Sequence, residues 1–578
     1  MSFDGAKKHP GSAETPDGSR RTSLEWKLAG DGRRAVLFAA RSAVALYRLL
    51  DALPVFTGDD RITRHFTLIP GSDFGVDALS VIDDIGGRTL PWDEACRRTF
   101  DLVLTASPKG ELTMLRGQHV LLPHGAGFNK SIPGEGSADS ASGLDPQYLM
   151  PSDDAPSALY ALAHPDQVAR LADASPEAAA RAKVIGDPTL ERILASRSLR
   201  DRYRAALGTG ARTLIALAST WGPECLLRQR PELPAELAAH LPCDEYQLAL
   251  IVHPNEWSLL GGYELTERLA PALDAGMVLA GPYQEWASVL IAADALITDH
   301  GSTALYYSAA SDRPVVNVHR GVELIHGSPM DVLLRQVPRL GPAEAVRDAL
   351  EAYRPGPGRA AAQAGFAAQG ESLSRLRTEV YALLGLTPPA HRTPPRLLPS
   401  PAAATRTPAA FDVHAAISDH GVRVDRRPAG IGLPGHHLAV EYGATGEHLV
   451  RSAGLLYCRP LPPSPAAGEM VWTAAGWAQH ALSEYAGCRS AAAIVASGLC
   501  VLKVRGDEGT YAVCVEPRSE GGRIVRIDPA AALSAVHTWS SAHRGLPGDG
   551  FGLDCVIGDR TFRVLVRPAT DEEAGRPV

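Results

Sequence analysis

Long hydrophobic runs are missing from this sequence. No stretch reaches the roughly 18 consecutive apolar residues that a membrane-spanning helix needs, and the longest runs are strand-sized, such as Ala249 to Val252. Membrane contact is therefore expected to be peripheral at most. Residues 1–30 are polar and rich in Gly and Pro. They lack the apolar core of a secretory signal, so they read as a flexible arm on a chain expected in the cytoplasm. The eight cysteines are scattered, with no CxxC pair and no histidine at metal-ligand spacing. That speaks against a zinc ribbon or a disulfide framework and for reduced, mostly buried thiols. Basic excess is absent too: the net charge of -8 argues against a nucleic-acid partner, although a local basic groove could still hold a phosphate.

What is present is ordinary globular material, 45% hydrophobic and 21% charged over 578 residues, enough for about three domains of roughly 100 to 200 residues each. A strand-like run Arg34 to Ala40 is followed by helical spacing to Leu53, where Pro54 ends it. Strands at Phe66 to Ile69, Leu102 to Leu104 and Val120 to Leu122 continue the alternation, with a helix at Val76 to Ile85. A second series of buried strands runs through Lys183 to Ile185, Thr213 to Leu217, Leu248 to Val252, Met277 to Leu279, Ala295 to Thr298 and Val315 to Val318. Strands separated by helices mean parallel sheets covered on both faces. The fold expected is α/β: two facing, Rossmann-like doubly wound domains over residues 31–180 and 181–386. Between the two series, Asn129 to Asp154 reads as a long surface loop beside a cleft. Residues 387–410 hold a stretch with seven prolines and read as a solvated linker. Residues 411–578, with short alternating runs at Cys500 to Val504, Tyr511 to Val515 and Phe562 to Val566, read as an α+β domain of unassigned role.

Three segments could carry chemistry. In the first, an apolar strand runs into Pro123-His124-Gly125-Ala126-Gly127 and on to Lys130. Ligands of open parallel sheets bind beyond the carboxyl ends of strands, so His124 would reach the mouth of the cleft, with the glycines and Lys130 near an anion. In the second, another strand ends at His253-Pro254 and delivers a second histidine to the same edge. In the third, a strand ends at Thr298 and the turn Asp299-His300-Gly301-Ser302-Thr303 opens a helix. Free backbone N–H groups and the helix dipole then meet at one spot, an anion site for a pyrophosphate. The plainer alternatives are a loop histidine that bonds its own turn, a His-Pro turn and a simple helix cap.

At these residues, over about 34 to 385, the chain resembles the CDP-glycerol glycerophosphotransferase family and its relatives of the GT-B (glycosyltransferase B) fold. The matching segments are His124-Gly125, His253-Pro254 and Thr298-Asp299-His300-Gly301-Ser302, with Gly186-Asp187-Pro188 resembling the stretch that often begins the family's second half. His300 and Gly301 stand where the family has a tyrosine and a serine. The resemblance implies a nucleotide-activated transferase. It would move a glycerophosphate, sugar or related group from a nucleotide-diphosphate donor to an acceptor hydroxyl. His124 and His253 would be catalytic, and Gly125, Gly127, Lys130, Asp299, His300, Gly301, Ser302 and Thr303 would bind the nucleotide phosphates. No cofactor is implied beyond the donor, and no carboxylate cluster visible in the sequence supports a metal. A UDP-sugar 2-epimerase-like enzyme and a non-catalytic nucleotide-conjugate-binding protein stay open as alternatives.

Overall fold

The structure is a computed structural model that describes residues 33–71, 82, 86–123, 125–131, 144, 157–391, 394–460 and 470–578. His124, the helix expected at Val76 to Ile85 apart from Ile82, and most of the Asn129 to Asp154 segment lie outside the described residues. The first sheet contains β1 (Arg34–Ala40), β2 (Ile62–Leu68), β3 (Thr99–Thr105), β4 (Arg116–Leu121), β5 (Ser157–Leu162) and β6 (Ala182–Val184), in the order β2-β1-β3-β4-β5-β6. All its pairings are parallel. Alternate residues of β1 enter opposite cores: Val36, Phe38 and Ala40 pack on one face, Leu37 and Ala39 on the other. A strand buried on both sides must be apolar throughout, and this explains the unbroken run. Ser42 starts α1 (Ala43–Ala52) by accepting a hydrogen bond from the Ala45 amide.

The strand at Ala182–Val184, read from sequence as opening the second series, pairs with β5 and closes the first sheet. A three-residue run carries no local sign of the sheet it joins. The second half follows with α2 (Pro188–Ser196), β7 (Thr213–Ser219), β8 (Tyr246–Val252), α3 (Pro254–Leu260), β9 (Val278–Leu279), β10 (Ala295–Thr298), α4 (Thr303–Ala310) and β11 (Val315–Asn317). Its sheet order is β11-β10-β7-β8-β9, all parallel. Leu214 and Ala216 of β7 face one core, Ile215 and Leu217 the other. This is the second doubly wound unit. A last helix, α5 (Ser372–Leu383), returns to the first half: Leu373, Leu376, Val380 and Tyr381 join the core of β1. There the Tyr381 hydroxyl donates to Asp59 (2.9 Å).

The proline-rich stretch is not solvated along its length. Leu398 is buried in the second half's core, where its amide donates to Ser196 Oγ (3.0 Å) and its carbonyl accepts from the Tyr203 hydroxyl (2.8 Å). Ser288 Oγ donates to the Pro399 carbonyl (2.6 Å), so the segment is a strap on the second half. Beyond it, nine strands between Ala410 and Pro568 close into a barrel of mixed parallel and antiparallel pairings, a form that the α+β reading did not specify. The helix α6 (Pro529–His543) packs within it. Every residue from Pro529 to His537 is buried, so all faces of those two turns are covered by barrel strands. Among the described residues no helix is long and apolar enough to cross a membrane.

Candidate functional site

In both sheets the strand order reverses at one point, between β1 and β3 in the first and between β7 and β10 in the second. Such switch points leave a crevice beyond the strand ends. The two crevices face each other across one cleft of about 540 Å³. Arg41, Ser107 and Lys109 line it from the first half, and Thr220, Trp221, His253 and Ser302 from the second.

The turn between β10 and α4 is held from behind. Asp299 is buried, and its carboxylate accepts from the amides of Thr220 (2.8 Å), Leu226 (2.9 Å) and Gly301 (2.9 Å). Burial pushes its pKa up to about 6, against the opposing pull of those donors and Lys130. Asp299 was expected to bind phosphate. With its oxygens spent on the backbone, it shapes the turn and does not line the cleft. Gly301 fits because a Cβ there would sit 3.2 Å from the Thr220 Cβ. Ser302, the residue before α4, makes no capping hydrogen bond with its side chain, so its hydroxyl is not committed to the helix start. Thr303 begins the helix and borders the cleft beside it.

His300, also expected at the phosphate, borders the cleft beside Ser302. Its side chain is fully buried, with Nε2 3.0 Å from Glu323 Oε2 and its ring 4.4 Å from that of His319. Burial, reinforced by Lys130 and His319, holds its pKa at about 2, so the ring is neutral and bears no charge for a phosphate. Lys130 lies 3.9 Å from Glu323 Oε2 and stands over the Trp221 ring at 4.8 Å. Burial lowers its pKa, with Glu323 and Asp299 opposing.

The first half's loop meets this turn directly. Gly125, at φ 75, lies so close to Ser302 that a Cβ there would be 3.3 Å from Ser302 Oγ. Gly127, at φ 70, is pressed against Gln167, whose amide donates to the Ala126 carbonyl (2.7 Å). The loop then pairs with the second half: Ile325 donates to the Asn129 carbonyl (2.9 Å) and Ser131 to the Glu323 carbonyl (2.8 Å). His253 caps α3, with Nδ1 accepting from the Asn255 amide (3.1 Å). The neutral ring therefore carries its proton on Nε2, a hydrogen-bond donor.

A network that sequence inspection passed over joins the halves beside Ser302. Arg48 of α1 donates to the Tyr306 hydroxyl (3.0 Å), which donates to Asp187 (2.7 Å). Asp187 also caps α2 through the Leu190 amide (2.8 Å). Asp51 of α1 binds Thr189 (2.6 Å) and Arg192 (2.9 Å). The available signal was Arg48 and Asp51, two charges three residues apart within the otherwise apolar Leu46–Phe56 run.

No protein-family model matches the chain, and no curated protein matches it by sequence. Solved structures similar to it include a variant of the wall teichoic acid polymerase TagF soaked with CDPG, at 12% identity and a TM-score of 0.40, covering 64% of this chain and 96% of that one. Anabaena HepE in complex with UDP and glucose aligns at 13% identity and a TM-score of 0.37, covering 61% of this chain and 100% of that one. S. aureus MnaA with UDP aligns at 10% identity and a TM-score of 0.41, covering 61% and 98%.

Proposed function

We propose that this chain is a nucleotide-activated transferase that moves a glycerophosphate, sugar or related group from a nucleotide-diphosphate donor to an acceptor hydroxyl. The observation that carries the reading is the start of α4. It lies at the switch point of the second sheet, opens onto the cleft between the halves, and presents Ser302 and Thr303 with no capping bond from Ser302. Unpaired amides and the positive end of a helix favour a pyrophosphate there. Arg48 and Lys130, both at the cleft, add positive charge.

In this reading His124 takes the proton of the acceptor hydroxyl. Its flanking residues support that placement: Pro123 borders the cleft and Gly125 approaches Ser302. His253 donates through Nε2 to the phosphate that gains charge as the donor bond breaks. If glycerophosphate is transferred, the acceptor oxygen bonds to the distal phosphorus and the nucleotide leaves as a monophosphate. If a sugar is transferred, a nucleoside diphosphate leaves.

The test combines calorimetry with product analysis, using CDP-glycerol and UDP-sugars with glycerol- or sugar-bearing acceptors. Binding of at least one conjugate and release of CMP or UDP are expected. His124→Ala should keep nucleotide affinity and lose turnover by about a hundredfold or more, whereas His253→Ala should lower both. Conversion of a UDP-sugar without acceptor would replace the transferase by an epimerase. Binding without turnover would make the chain a binding protein, and failure of every conjugate to bind would end the proposal.

A further inference from the structure

Behind the Asp299–Thr303 turn, three polar side chains from separate loops converge. A carboxylate oxygen of Glu224 and one nitrogen each of His300 and His319 all lie within 4.8 Å of one another, with Glu224 Oε2 3.6 Å from His319 Nε2. His300 and His319 are 1% and 7% exposed. Among the described residues, neither ring nitrogen of His319 nor His300 Nδ1 has a hydrogen-bond partner. Buried polar atoms without partners are costly and uncommon, and here three of them gather beside a carboxylate.

We infer that Glu224, His300 and His319 form a binding site for a divalent transition-metal ion, with zinc the best match. Two imidazoles and a carboxylate are a donor set that suits zinc. Bonds of about 2.0–2.2 Å in a tetrahedral shell place ligand atoms about 3.4 Å apart. The Glu224–His319 contact is already near that spacing, and a pair at the 4.8 Å limit must draw in by about 1.4 Å. His300 is held as metal-binding histidines usually are, with its other nitrogen on a carboxylate: Nε2 lies 3.0 Å from Glu323 Oε2, which leaves Nδ1 basic. Glu224 is fixed by the amides of Val322 (2.8 Å) and Glu323 (3.0 Å). Room for it depends on Gly321, where a Cβ would fall 2.0 Å from that carboxylate. Two cations lie beside the cluster: Lys130, 3.9 Å from Glu323 Oε2, and Arg339, whose guanidinium donates to the His319 carbonyl (2.8 Å). Both oppose the ion through charge.

The site would tie the nucleotide turn to the loops at 224 and 319–323, and its test does not depend on any donor. The full-length protein is freed of metal with a chelator, loaded with Zn²⁺ or Co²⁺ alone, and desalted. One equivalent of Zn²⁺ per chain, a higher Tm with added Zn²⁺, and visible cobalt bands of a four-coordinate site are expected. X-ray absorption on the zinc-loaded parent should count two imidazoles. His319→Gln and Glu224→Gln should each weaken Zn²⁺ binding at least tenfold, and Lys130→Met should tighten it. Less than about a tenth of an equivalent of zinc in the parent, fewer than two imidazoles, or unchanged affinity in a folded variant would overturn the site and leave a polar cluster that only shapes the turn.

Discussion

In the proposed phosphate site at Ser302 and Thr303, little of the binding would reside in any one side chain. The amides of α4 remain whatever follows at the hydroxyls, so Ser302→Ala with Thr303→Ala should weaken donor binding by only about 1 to 3 kcal/mol, the range for hydrogen bonds to a charged group. Thermal melts should show the fold intact, since Ser302 does not cap the helix with its side chain. Calorimetry with unchanged affinity would show that the turn does not meet the donor. At this scale the sequence marked segments whose described residues border the cleft, but not the direction of each side chain. Asp299 and His300 stand in the expected motif, yet one faces its own backbone and the other Glu323. Facing is set by partners far along the chain, at 220, 226 and 323, and no local pattern carries that information. The Glu224–His300–His319 cluster was illegible for the same reason.

Elements were read more readily, because a strand buried on both faces leaves an apolar run whatever surrounds it. β10 was expected at Ala295 to Thr298 and is found there. β5 was missed, since Ser157-Ala-Leu-Tyr-Ala-Leu162 suits a helix as well as a strand and follows a segment rich in loop residues. The strap's prolines predict a solvated linker, and the buried Leu398 among them overrides that expectation. Limited proteolysis should therefore cut within residues 387–395 and spare Arg396 to Pro399, whose backbone is bound to the second half; fragment masses placing the first cut at Leu398 would refute the strap. A second tether acts on α5. Asp59 is held down at about 2, chiefly by the Arg61 hydrogen bonds, with Tyr381 adding to them. Its folded value lies below the unfolded value of about 3.9, so the stabilisation is complete above about pH 4 and is lost as pH falls towards 2. Arg61 is 42% exposed, and solvent screening leaves about 1 to 2 kcal/mol at neutral pH. Urea melts of the parent and Asp59→Asn should differ by that amount at pH 7 and converge only as pH falls to about 2; a gap that stays constant with pH would assign the effect to packing.

At the scale of the whole molecule, Arg426 joins the barrel to the second α/β half. It is 1% exposed and donates to both oxygens of Asp244 (2.8 and 2.7 Å) and to Asp528 (2.9 Å), the residue that caps α6. Arg426→Ala would strand the Asp244 carboxylate and leave Asp528 to Arg459 alone, and should cost about 3 to 5 kcal/mol, seen in scanning calorimetry as a barrel transition that separates from the rest. A single unsplit transition at the parent temperature would mean the arginine does not couple the units. The barrel also has an order of assembly written into its connections. Strand Gly421–Pro428 closes on Phe551–Ile557, and Tyr511–Val515 closes on Arg560–Pro568, so the final hairpin is the seam between strands made more than a hundred and nearly fifty residues earlier. While the chain is still on the ribosome, α6 has emerged and the seam has not. Its alanine-rich flank must wait uncovered until the closing hairpin leaves the exit tunnel, and a transcript cut short before Phe551 would yield a protein with an open barrel and a sticky helix, a target for chaperones and proteases rather than a working shorter protein.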